Sequence, residues 1–107
     1  MIDTDEYPLF AETLAWEDAQ ADLAERGLGD GLPLVPPTEV RLQRMLAGIA
    51  APDRSYGPLP PLFGELTARA VAYQCVLAGC TPAELPVVLT ALAACREPEF
   101  NLLGLLT

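Results

Sequence analysis

Apolar positions along this chain recur at helical spacing in four places, separated by Pro- and Gly-rich breaks. Phe10, Leu14, Trp16, Ala19 and Leu23 form an imperfect stripe with the acids mostly off it, which predicts a first helix over 11–26. Thr13 or Asp18 is placed to cap it, and Gly27 and Gly29 stop it. Val40, Leu42, Met45, Leu46 and Ile49 give the buried side of a second helix over 39–48, capped by Thr38 after the extended Pro36-Pro37 pair. Ala68, Val71, Ala72, Cys75, Val76 and Ala78 make a third helix, 65–78, apolar nearly all round and therefore central; Thr67 is its candidate cap and Gly79 its end. Thr81-Pro82-Ala83-Glu84 combines a Thr cap, a proline at the first helical position and a glutamate at the third, and opens a fourth helix over 82–95. Pro86 is expected to bend that helix, because its missing N–H would have bonded the carbonyl of Pro82.

The breaks carry information too. In 27–37, Asp30-Gly31 is turn chemistry, while Leu32, Leu34 and Val35 are too apolar for a free loop and are expected to lie across the core. Residues 50–64 read as a loop anchored by Tyr56 and Phe63. The final run, Phe100-Asn101-Leu102-Leu103-Gly104-Leu105-Leu106-Thr107, is almost wholly apolar and reads as a strand needing a partner surface. The expected fold is α+β, mainly α: about four helices, with a C-terminal apolar strand, residues 100–107, completed by another chain. Residues 1–10 read as an acidic arm and 11–107 as one domain, incomplete without that partner.

Composition narrows the function. Of the 15 acidic residues, nine fall in residues 1–30 against one base, Arg26. The other 77 residues are nearly neutral, with six acids and five arginines. An acidic first third without a basic stripe elsewhere argues against nucleic-acid binding. No lysine is present, so no Schiff base forms on this chain, and with no histidine the commonest general base and metal ligand are missing. The apolar run 85–95 is too short to span a membrane. Three cysteines, an odd number without a secretory leader, point to a reducing cytoplasm.

Candidate chemistry is sparse. Cys80 precedes the fourth helix, whose unpaired N–H groups and dipole would favour a thiolate; the alternative is a small buried residue in a tight corner. Cys75 and Cys95 read as core packing. The Cys75–Cys80 spacing is not that of a redox CxxC, and three thiols without histidine make no recognisable zinc site, so no metal is expected. Asp30, between two glycines, is the best carboxylate candidate, against an ordinary Asp-Gly turn. Arg41 and Arg44, at i and i+3, are either an anion-binding pair or a solvated face. Asn101 either orients a ligand or caps a turn. Cleavage after Thr107 would expose a new N-terminal residue able to act as nucleophile, although a separate gene or a truncation explains the same end. The cofactor is left open.

Three segments, Gly29-Asp30-Gly31-Leu32-Pro33-Leu34-Val35-Pro36-Pro37-Thr38, Ala78-Gly79-Cys80-Thr81-Pro82-Ala83-Glu84-Leu85-Pro86-Val87-Val88-Leu89 and Pro98-Glu99-Phe100-Asn101-Leu102 with Gly104, carry a family resemblance in this order. They resemble the N-terminal portion of the large bacterial proteins grouped with the UGSC-motif (seleno)protein family, over about residues 28–107. The resemblance implies a chain that continues past this point. The Gly-Ser-Cys motif that names the family is absent here. The expectation is thus the small subunit, or N-terminal processed chain, of a hetero-oligomeric enzyme acting on a small molecule. Its alternative is a non-catalytic subunit that stabilises or regulates a catalytic partner.

Overall fold

The computed structural model describes residues 8–59 and 64–97. Within them the order is α1 (Trp16–Glu25), α2 (Glu39–Leu46), β1 (Ser55–Leu59), β2 (Gly64–Thr67), α3 (Ala68–Leu77), a 3-10 turn (Pro82–Glu84) and α4 (Leu85–Cys95). The fold is mainly α with one small two-stranded antiparallel sheet, hence α+β. Phe63 and the apolar run 100–107, with Asn101 and Thr107, lie outside the described residues. No helix among the described residues is long and apolar enough to cross a membrane.

Helix α3 is the centre. Seven of its ten residues are buried, with Ala68, Ala72 and Tyr73 fully enclosed. Leu42, Met45 and Leu46 of α2, Leu23 of α1, Leu66 of β2 and Leu85 of α4 close around it. Thr67 caps α3, its hydroxyl accepting from the N–H of Ala70 at 3.1 Å. An N-cap needs extended backbone, and Thr67 has it (φ −121°, ψ 155°), so the residues before it run on as β2 rather than as the first turn of a helix from 65. The expected loop 50–64 accordingly contains β1 and the start of β2. A bulge between Ser55 and Pro58 shifts the register, and Gly57 takes the left-handed φ of 100° there. Gly57 and Pro58 inside a strand hide its period-two pattern. Asp53 and Arg69 tie the entry of the sheet to α3 through a paired contact at 2.7 and 3.3 Å, and the Arg69 hydrogen bond lowers the Asp53 carboxyl below its ordinary range.

The first helix is shorter than its pattern predicts. It begins at Trp16 after Ala15, without a side-chain cap, so neither Thr13 nor Asp18 serves. The preceding segment has other commitments. The N–H of Phe10 donates to the carbonyl of Pro37 at 2.8 Å, and a Glu12 carboxylate oxygen accepts from the N–H of Val40 at 3.2 Å. Helix α2 is therefore capped twice, by its own Thr38 and by an acid from a distant segment. Leu14 and Trp16 are left exposed, while Ala19 and Leu23 are buried as expected. Pro8 is buried, and Leu9 and Phe10 pack on the core, so residues 8–10 are not part of an exposed arm.

The strap 33–38 crosses α1 and the end of α3, tied to both by hydrogen bonds to its backbone. The Gln20 side-chain amide pairs with Leu34 in both directions, donating to its carbonyl at 2.6 Å and accepting from its N–H at 3.0 Å. The N–H of Val35 donates to Leu77 at 3.0 Å, and the carbonyl of Pro36 accepts from Arg41 at 2.8 Å. Leu34 and Val35 reach the core, but Leu32 does not; it stays 69% exposed on the turn before the strap. Val40 is likewise exposed, because it sits in the first turn of α2 beside the strap rather than over α3.

Tyr73 holds the N-terminal segment to the core. Its hydroxyl donates to the carbonyl of Pro8 at 2.6 Å in a buried setting. Tyr73→Phe should cost about 1–3 kcal/mol in urea unfolding, since the carbonyl is left without that donor inside the protein. An unchanged midpoint and slope would show that the segment is not held this way.

Candidate functional site

The corner between α3 and α4 is built by a helix-ending motif. Ala78 is the C-cap of α3 and Gly79 follows in the left-handed region (φ 82°). The N–H of Gly79 donates to Val76 at 3.0 Å, and the N–H of Cys80 donates back to Cys75 at 2.9 Å. These two bonds define a Schellman motif, in which a backbone hydrogen bond joins the residues at the C3 and C″ positions. Here both are cysteines. Cys75 is 4% exposed and Cys80 is half-buried.

The next residues start α4. Glu84 accepts from the N–H of Thr81, completing the glutamate half of the expected capping box. With no N–H on Pro86, the carbonyl of Pro82 is taken instead by the N–H of Leu85, so the first turn closes as a 3-10 turn. The carboxylate of Glu84 therefore occupies a helix-start N–H that would otherwise face an anion, and adds a negative charge to the Cys80 corner.

Cys80 borders two cavities. One, of about 270 Å³, is lined by Arg41, Arg44 and Met45 of α2, Val35 of the strap, Val76, and the run Gly79, Cys80, Thr81 and Pro82. The other, of about 400 Å³, is almost wholly apolar and lies between α3 and α4, with Cys75, Cys80, Val71, Val88 and Leu92 among its walls. The structure thus brings three of the expected site residues, Cys80, Arg41 and Arg44, to one cavity. Arg41 also has a structural duty there, through its bond to Pro36.

Asp30 is elsewhere. Its carboxylate accepts from the N–H of Leu32 at 3.1 Å, which is the local turn reading of Asp-Gly. Its flanking glycines line a separate groove of about 430 Å³ between α1 and the loop. Asp30 and Cys80 are not brought together. Cys95 ends α4 and borders neither of the two cavities that Cys80 shares. Among the described residues no group of three or more Cys, Asp or Glu side chains is arranged to hold a metal ion.

Two contributors escape a reading of the sequence by period. Cys75 scores as core, and it is core; what marks it further is the pattern Cys-Val-Leu-Ala-Gly-Cys, with glycine at C′ and cysteine at both C3 and C″. Gln20, between the buried Ala19 and Leu23 of α1, carries no sign in the sequence that it pairs with a backbone 14 residues away.

Comparison with known proteins found no matching family model, no matching curated protein and no matching solved structure.

Burial first, then the neighbouring Cys80, push the Cys75 thiol up from 9.0 to about 11. The folded state keeps this proton where the unfolded chain loses it. Its contribution to stability is complete below the unfolded value of 9.0 and is lost as pH rises through the folded value of about 11. Urea unfolding at several pH values should show this decline, and Cys75→Ala should flatten it; an equal decline in the variant would assign the effect to other groups.

Proposed function

We propose that this chain is the small subunit, or N-terminal processed chain, of a bacterial hetero-oligomeric enzyme acting on a small molecule, and that it supplies one wall of the substrate pocket. The observation that carries this reading is the convergence of Arg41, Arg44 and Cys80 on one cavity, from segments far apart in sequence. Two guanidiniums over a small cavity fit an anionic group such as a carboxylate or phosphate. A half-buried thiol at the same rim can act on the bound molecule or contact it. The second chain contributes the remaining acid, base or metal groups, and the resemblance to the UGSC-motif family supports a longer functional unit. Asp30, held in its own turn, contributes to the loop and not to this pocket.

A second reading has its own support. Helix α4 is apolar along most of its length, yet Leu85 is its one buried residue and Val87 is 69% exposed. Such a face suits a subunit that stabilises or regulates a catalytic partner by packing against it.

Titration of the purified complex with inorganic phosphate and with a small dicarboxylate separates the two. Under the first reading, binding is seen and Arg44→Gln weakens it about tenfold, the value of one charge-assisted hydrogen bond. Cys80→Ser then abolishes turnover with the complex intact, while Asp30→Asn leaves binding unchanged. Absence of anion binding, with activity kept in both Arg44→Gln and Cys80→Ser, would leave the structural reading standing.

A further inference from the structure

The Schellman corner does more than end a helix. It places two thiols at the C3 and C″ positions, the pair whose side chains commonly pack together in this motif. The backbones are already locked to each other by the Cys80 N–H to Cys75 carbonyl bond at 2.9 Å. Both cysteines line the apolar cavity between α3 and α4. They differ in access: Cys80 is half-buried and opens onto both cavities, whereas Cys75 is 4% exposed and sits behind it. Nothing in the anion-binding reading uses Cys75.

We propose that Cys75 and Cys80 are an oxidisable dithiol, which a hydroperoxide converts to a disulfide bridging the C3 and C″ positions of the motif. The accessible sulfur reacts first. Cys80 Sγ attacks one peroxide oxygen, the O–O bond breaks, and Cys80 becomes a sulfenic acid with release of water. Cys75 Sγ then attacks Cys80 Sγ, the S–S bond forms as the S–O bond breaks, and a second water leaves with the remaining thiol proton. Two thiols are oxidised by two electrons and one hydrogen peroxide is reduced to two waters. A thiol reductant reverses the change. Burial makes Cys75 a poor first nucleophile but a well-placed second one, because the adjacent sulfenic acid is its direct neighbour. The bridge forms with or without an anion in the Arg41–Arg44 cavity, so it stands or falls separately from the proposed function.

The experiment is stoichiometric hydrogen peroxide on the full chain, or on the complex as purified, followed by thiol counting and peptide mapping. Two of the three thiols should disappear, and dithiothreitol should restore them. With arginine the sole cationic residue type in the chain, a trypsin digest leaves all three cysteines in the fragment 70–96. A further cut after Glu84 separates Cys95, and the fragment 70–84 should be lighter by two hydrogens. Cys95→Ser should behave as the wild type, and in Cys75→Ser, where no second thiol condenses with the sulfenic acid, a second equivalent of peroxide should carry Cys80 on to the sulfinic acid. Recovery of Cys80 as sulfinic acid with Cys75 still free in the wild type would overturn the proposal. So would survival of all three thiols, or a bond that joins Cys95 instead.

Discussion

A helix apolar on nearly every side has to be covered on every side, and this requirement on α3 organises the rest of the chain. Its buried residues form one cluster with residues of α2, β2, α1 and α4, so the elements share a core built around it. The covering is mostly side-chain packing, with few long-range backbone pairs. Two distant backbone pairs sit at the ends of α3: the N–H of Arg69 takes the carbonyl of Pro52 at its start, and the carbonyl of Leu77 receives the N–H of Val35 at its finish. The hydrophobic term supplies the drive, and these end bonds supply the register.

The chemistry sits at the C-terminal end of α3 for a related reason. A buried helix must still satisfy its last carbonyls, and here Gly79 turns the chain so that two of them are used. The same turn delivers Cys80 to the rim of the α2 cavity and holds its N–H on the carbonyl of Cys75. The site is thus a by-product of helix termination, and its geometry is fixed by backbone bonds that substitution of the site residues leaves in place.

Much of this was legible in the sequence. The central position of α3, the caps at Thr38 and Thr67, the Gly79 stop and the Glu84 contribution all follow from short-range rules. Those rules work because capping residues act within one turn of themselves. The strand pair was hidden, because Gly57 and Pro58 interrupt β1 and Thr67 reads equally well as a strand end or a cap. The length of α1 was overestimated because Glu12 looks like a helix-start acid, yet it caps a different helix. For the site, Cys80, Arg41 and Arg44 were each visible, but their meeting depends on how α2 lies against α3, which local pattern does not encode. Asp30, the carboxylate candidate, lies in its own turn beside a separate groove, a separation that only the tertiary arrangement reveals.

The strap 33–38 contains three prolines, Pro33, Pro36 and Pro37, the last two buried. Each removes a backbone donor that would otherwise need a partner, which is how this segment crosses the interior without joining a sheet. The larger effect lies in the unfolded chain. Proline has a fixed φ and restricts the residue before it, so Leu32, Val35 and Pro36 are held toward extended backbone even when nothing is folded. The strap begins its search already close to its final shape, and the ordering entropy that a crossing segment of ordinary residues would lose is, for these positions, largely absent from the start.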